Sequence, residues 1–430
     1  MQKLSGKKLL LVGFTLFSMF FGAGNLIFPP HLGAQAGANL WPAFAGLAVS
    51  AVFLPIAGVV AVARAGGLDK LARRVHPVFA TVFTILVYLS IGPCLAIPRT
   101  ASTSFQMLVP LVGGSAGLRL GYSVLFFAAA FLVALRPEKL TDWLGRILCP
   151  CLILLIVVLF AGCLVHPLAV HYAAPSAEYT ALPAVQGILY GYQTMDTLAG
   201  LNFGAVIALN IRACGVTQRS AVERGTIRAG FVAGALLLAV YAMLGHAGAE
   251  TGTVYPGLAT GAEVLTVLAQ TLFGRAGLVL IAAIFVIACF NTCVGLIACV
   301  GQYFHQLLPR IPYPAIAAFF AAASMLVSNL GLSAIIRLST PVLNAIYPAA
   351  IVLILLSFVP GLEQRRAVYP LCIGLTAVQS IAAALPLGAV SAAAKALPLG
   401  SMGFGWVLPA VAGLVIGVSV SLLPGSCKRG

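Results

Sequence analysis

Charge is what this 430-residue chain has least of: Asp, Glu, Lys and Arg together make up 8% of it, and only nine residues are acidic. With 61% hydrophobic residues and a mean hydropathy of +1.08, a water-soluble domain is excluded, because so much apolar surface would aggregate. A detached soluble domain is missing too. No linker, charge block or low-complexity tract interrupts the chain, and the longest polar stretch, about 210–228, is short. The absence of a GxxxxGK[ST] phosphate loop excludes primary active transport by this chain. Paired carboxylates, a His/Asp cluster and a Ser/His arrangement are all missing from the apolar runs, which excludes an intramembrane enzyme. Ten cysteines fall mostly inside those runs or at their ends, where thiols act as small apolar fillers rather than a disulfide framework. Cys149-Pro150-Cys151 has no second pair and does not read as a zinc site.

Long apolar runs are what the chain does have. A helical span needs about 20 apolar residues, and marking such runs between charged or Gly/Pro-rich breaks gives about twelve. They lie near 8–31, 40–63, 78–106, 119–136, 143–165, 183–209, 226–247, 276–304, 313–328, 333–358, 370–388 and 403–423. The expected class is an all-α polytopic membrane protein forming one transmembrane domain over 1–430. With the amino terminus inside, 19 of the 24 basic residues fall in cytoplasmic segments, from Lys3, Lys7 and Lys8 to Lys428 and Arg429. Arg99, Arg119, Arg275, Arg337 and Lys395 remain for the membrane or the other side. This asymmetry predicts both termini in the cytoplasm and makes membrane lipid, not nucleic acid, the partner of the positive charge.

Two spans are interrupted. The first carries Phe20-Phe21-Gly22-Ala23-Gly24-Asn25-Leu26-Ile27-Phe28-Pro29-Pro30, and the sixth carries Gly191-Tyr192-Gln193-Thr194-Met195-Asp196. Hydrocarbon tolerates no unpaired backbone, so both breaks must face protein or a watery cavity. Five spans separate them, so the second copy runs upside down: inverted repeats of approximately 8–165 and 183–358, with extra helices over 370–423. Interrupted spans at matching places of inverted halves point to a secondary-transporter site. The segment Thr260–Gly274, apolar at helical intervals but too short to cross, is either a lid over the mouth or interfacial packing.

These two stretches, with Ile91-Gly92-Pro93, Pro98-Arg99-Thr100 and Tyr347-Pro348, resemble the bacterial branched-chain amino-acid carriers, the LIVCS family, over nearly the whole chain. The resemblance implies the leucine-transporter fold of the APC superfamily, five plus five inverted helices with two more. It also implies a cation-coupled symporter of leucine, isoleucine and valine in the bacterial inner membrane. No cofactor is expected beyond sodium as coupling ion. The alternative is a proton-coupled carrier or exchanger of another small neutral amino acid or amine.

A zwitterionic substrate needs partners for carboxylate and ammonium. The restarting helix at Gly22, Ala23, Gly24 and Asn25 offers backbone N–H groups and a positive dipole end to the carboxylate. Asp196, the one acidic residue placed deep in a span, either attracts the ammonium, a sodium ion or a proton, or caps the second half of span 6. Phe20, Tyr192 and Met195 are expected as dry walls, which would admit leucine, isoleucine and valine alike. Ala288, Asn291 and Thr292, at i, i+3 and i+4, put one carbonyl and two side-chain oxygens on one face of span 8. The resemblance sets them opposite Ser18 and Phe21 as a sodium site, and directs Tyr88 at the substrate carboxylate. Arg99 is expected to snorkel to the headgroups or gate the mouth, and His166, His171 and His246 to lie at the surface.

Overall fold

In lipid every backbone polar group must be satisfied within its own segment, so apolar runs of this length fold as helices. The computed structural model describes residues 4–385 and 388–422 and is helical throughout, with no strand among the described residues. Lys3, Cys427, Lys428 and Arg429 lie outside the described residues. The first span is α1 (Gly6–Phe20) and α2 (Ala23–Ala36); the second is α3 (Leu40–Ala48) and α4 (Leu54–Ala65), joined through a π-turn; a short α5 (Leu68–Ala72) follows. Next come α6 (Pro77–Leu89), α7 (Ala96–Val112), α8 (Ala116–Ala134), α9 (Cys149–Val165), α10 (Pro183–Tyr192) and α11 (Asp196–Ala213). The chain ends with α12 (Arg219–Val254), α13 (Gly261–Leu307), α14 (Tyr313–Ser328), α15 (Leu332–Ser357), α16 (Val368–Ala384), α17 (Ala389–Lys395) and α18 (Val407–Leu422). Helix starts follow local chemistry: Ser5, Ser115 and Thr260 side chains accept the N–H of Lys8, Leu118 and Glu263.

Helix covers all or most of each of the twelve apolar runs, but the runs are not twelve uniform rods. Among the described residues, seven helical stretches are long and apolar enough to cross a membrane, or eight if α10 and α11, bent by 49°, count as one. Span 3 is interrupted as well: Ser90–Cys94 forms a π-turn in which Gly92 leaves helical geometry (φ −86°, ψ −128°), because Pro93 cannot donate to the ladder. Thr260–Gly274 is a helix, turning into the rest of α13 at Gly274 (φ 57°).

α12 runs past the expected end at 247 to Val254. Its Gly245, Gly248 and Gly252 lie against α2; an added Cβ on Gly248 would sit 2.0 Å from the Pro30 carbonyl oxygen. Small residues let helix backbones meet in lipid, where packing rather than water exclusion drives association. α11 packs on α4, as α2 packs on α12, so the second half of each broken span is braced by a neighbouring helix.

Candidate functional site

The two breaks meet. α1 stops at Phe20, Phe21 leaves helical geometry, Gly22 is extended, and α2 restarts at Ala23. α10 stops at Tyr192, and α11 restarts at Asp196 after Met195, which is left-handed (φ 67°). The Asn25 side chain joins them. Its Oδ1 accepts the Gly22 N–H (3.0 Å) and its Nδ2 donates to Asp196 Oδ2 (2.5 Å). Tyr241 of α12 donates to the same Oδ2 (3.0 Å) and also accepts from Asn25 Nδ2. The Asp196 side chain is therefore turned to span 1 and span 7 rather than capping its own helix. Its carboxylate sits at the N-terminus of α11, where the helix dipole favours negative charge.

Arg99 does not reach the headgroups. It is 6% exposed and reaches from α7 into the span 6 break, where Nη1 donates to the Gln193 carbonyl (3.2 Å) and Nη2 to the Thr194 carbonyl (3.4 Å). The Phe28 ring lies 5.9 Å from the guanidinium. The cation thus caps the negative end of α10, as Asp196 occupies the positive end of α11. Both residues line one pocket of about 20 Å³ with Phe20, Ala23, Gly24 and Met195, yet among the described residues they form no ion pair with each other. That volume holds about one water, so the pocket is too small in this form for an amino acid. On the far side from the α1 N-terminus, Tyr190 closes it further: its hydroxyl meets His31 Nδ1 (2.6 Å) and its ring meets Phe28 at 5.1 Å.

Span 8 touches the span 1 break at the expected face. Thr292 Oγ1 donates to the Ser18 carbonyl (3.5 Å), and Asn291 Nδ2 to Ser18 Oγ (3.4 Å). Asn291 Oδ1 is buried with no hydrogen-bond partner, a state that costs about 1–3 kcal/mol unless a ligand satisfies it. Ala288 and Phe21 are buried beside this cluster, Phe21 stacked on Phe17 at 5.2 Å. An added Cβ on Gly22 would sit 2.6 Å from Thr292 Oγ1, so glycine there is a matter of space.

Three expectations are corrected. Tyr88 is not among the pocket's lining residues; it stacks on Tyr303 at 4.1 Å, one helix turn before the span 3 break. Tyr192 walls a different cavity, with its ring 5.0 Å from that of Tyr347. His246 is partly buried on the extended α12, against Tyr172 (2.5 Å) and the buried Glu250 (3.2 Å), while His166 and His171 are exposed. Glu250, 3% exposed, is thus a second buried acid that the expected end at 247 had left outside the span. Tyr241 was missed for want of any local signal. Arg99 had one: a basic residue directly after a proline in an apolar run.

Residues 5–423 match the model of the branched-chain amino acid transport protein family. The chain belongs to that family. The carrier is 39% identical to the branched-chain amino acid permease BraB of Bacillus subtilis, covering 98% of this chain and 97% of the relative. It is also 39% identical to the branched-chain amino acid transport system 2 carrier protein of Pseudomonas aeruginosa, covering 100% and 99%. Among solved structures it resembles Mhp1, a nucleobase-cation-symport-1 family transporter, with a TM-score of 0.64 at 13% identity over 97% of this chain and 94% of that one. The carrier is a multi-pass membrane transport protein with the leucine-transporter fold, and it is not an enzyme.

Proposed function

We propose that the carrier imports leucine, isoleucine and valine by alternating access, in symport with sodium, across the bacterial inner membrane with both termini cytoplasmic. One observation carries the substrate class: Arg99 and Asp196 line the same small pocket with opposite charge and, among the described residues, form no direct ion pair with each other. When the pocket widens in the transport cycle, a zwitterion completes this arrangement, its carboxylate between Arg99 and the N–H groups of Ala23 and Gly24, its ammonium at Asp196. A free amine or a free acid would leave one buried charge unmatched, at a cost of several kcal/mol. The remaining walls, Phe20, Met195, Ala199 and Phe203, are apolar and suit a branched hydrocarbon chain; the relatives' names supply the same class.

The sodium reading rests on Asn291 Oδ1, an unsatisfied buried oxygen beside the Ser18 carbonyl and the Thr292 hydroxyl. Hard oxygen donors of this kind suit an alkali cation, and the carbonyls of Phe21 and Ala288 would complete the set. A neutral zwitterion moving with one sodium gains about 2.3 kcal/mol per 100 mV of inside-negative potential, a gradient of roughly fiftyfold at 1.36 kcal/mol per decade. The inverted-repeat reading is supported by the reciprocal packing of α2 on α12 and α11 on α4.

Labelled leucine uptake into proteoliposomes, with sodium, lithium or neither inside-directed, tests the proposal. Uptake that rises with sodium and competes with isoleucine and valine is expected. Uptake indifferent to sodium but abolished by a protonophore would assign proton coupling instead.

A further inference from the structure

The helix of Thr260–Gly274 opens α13 at the end of the molecule that the proposed topology places outside. Its start lies directly on the outer half of span 1: a Cβ added to Gly261 would sit 1.8 Å from the Ile27 carbonyl oxygen. One side chain of α2, that of His31, reaches both this helix and span 6. Its Nδ1 lies 2.6 Å from the Tyr190 hydroxyl of α10, and the two rings stack with centroids 5.6 Å apart. The Ala259 carbonyl, just before the Thr260–Gly274 helix, bonds the same imidazole. A carbonyl can only accept, so the ring proton faces Ala259 from Nε2, and the bare Nδ1 accepts from Tyr190. From there contact runs unbroken to the central pocket: Tyr190 meets the Phe28 ring at 5.1 Å, Phe28 lies 5.9 Å from the Arg99 guanidinium, and Arg99 Nη1 donates to the Gln193 carbonyl.

Only a neutral histidine makes both bonds at once. A proton on Nδ1 would set two donors against each other, and the Tyr190 hydroxyl would have to turn its own proton away. Among the described residues, the charged groups facing the ring are Glu263, on the Thr260–Gly274 helix, and Glu178, in the loop before α10; α7 and α12 present none to it. Both carboxylates are exposed, so water screens their pull on a ring proton, and Glu263 already accepts the Ala259 N–H (3.0 Å). The closed arrangement therefore selects the neutral ring, whereas a ring opened to water takes either form.

We propose that His31 is the latch of an outer gate: a positioning residue that, while neutral, pins the Thr260–Gly274 helix and the outer half of span 6 to span 1, and that lets them part when it takes a proton from outside. The helix is then a lid rather than interfacial packing. The latch rests on the reading of the central pocket as the substrate site, since that pocket is what the lid shuts.

The test uses the purified full-length carrier. Without substrate, Tyr190→Phe, which keeps the ring and removes only the hydroxyl, should raise amide hydrogen exchange severalfold over 256–262 and 184–192 and leave α16 unchanged; a general loosening of the fold would raise all three. With labelled leucine bound, its release should be about fivefold faster in Tyr190→Phe, the loss of one hydrogen bond from the gate. In the unaltered carrier, release should quicken severalfold as the pH falls from about 8 to about 5, the range in which histidine takes up its proton. His31→Gln offers an acceptor and a donor but no titratable group, so most of this acceleration should vanish in it. Exchange and release unaltered by Tyr190→Phe, release that slows in acid, or an acid effect kept in full by His31→Gln would overturn the proposal. If the carrier binds no leucine, the substrate assignment fails, and the exchange comparison still decides the latch.

Discussion

The two helix breaks look alike in outline and are built in opposite ways. In span 1 the residues themselves favour the break: Gly22 takes an extended backbone, its N–H is met by the side chain of Asn25, and both groups lie within one short stretch. In span 6 there is no glycine between the half-helices. Met195 holds a left-handed backbone, at roughly 1–2 kcal/mol for a residue with a side chain. Its neighbours are held from outside, by Arg99 on the Gln193 and Thr194 carbonyls. The first break is local; the second depends on span 3. A strained segment persists only where its surroundings over-determine it, so the span 6 break is the one whose geometry should answer to a ligand.

The largest test removes the charge that the two breaks share. Asp196→Asn leaves an amide against Asn25 and Tyr241, with the substrate ammonium unmatched. Truncating a partner in a buried charged pair costs about 2–5 kcal/mol, so leucine uptake should fall about thirtyfold to several thousandfold at 1.36 kcal/mol per decade. Membrane insertion should be unchanged, as judged by yield and gel-filtration profile. Normal uptake with normal sodium dependence would remove Asp196 from the site.

Arg99→Lys comes next and probes the dependence on span 3. Lysine keeps the charge but cannot span two carbonyls with one planar fork. A lost hydrogen bond to a charged group is worth about 1.5–3 kcal/mol. Uptake should drop about tenfold or more, with the loss in leucine affinity rather than in sodium affinity. An equal change in both would mean that Arg99 braces the whole pocket instead of one side of it.

How far these features could be read beforehand follows the same division. The span 1 break was legible because glycine, asparagine and paired prolines have no other business in hydrocarbon. The position of the span 6 break was legible through Asp196, whose burial demands a partner, but the partner was not: Tyr241 is one aromatic among many in α12. Arg99 was misjudged because an arginine near an end of an apolar run has two outlets, headgroups or a buried acceptor, and only tertiary contact decides between them. Glu250 was left outside because hydropathy marks where apolar residues stop, while α12 continues as far as its glycine stripe has α2 to lean on.

Gly22→Ala should have a smaller and more specific effect. The new methyl group would sit 2.6 Å from Thr292 Oγ1, and overpacking of this kind costs about 1–3 kcal/mol. Because it separates span 1 from span 8, the sodium concentration for half-maximal uptake should rise roughly tenfold, with leucine affinity at saturating sodium little changed. A change in leucine affinity alone would place the ion elsewhere.

The smallest effect sharpens the comparison most. At position 195, alanine and glycine both remove the methionine wall, so they lose the same packing; they differ only in backbone. Inside an ordinary helix glycine is about 1 kcal/mol worse than alanine. At a left-handed position the order reverses, since glycine alone escapes the Cβ clash. Met195→Gly should therefore melt at a higher temperature than Met195→Ala in the same detergent, and retain more leucine binding, while at position 22 alanine is the worse residue for lack of room. If Met195→Ala melts at or above Met195→Gly, the span 6 break carries no backbone strain, and the contrast between a locally built break and an externally held one fails.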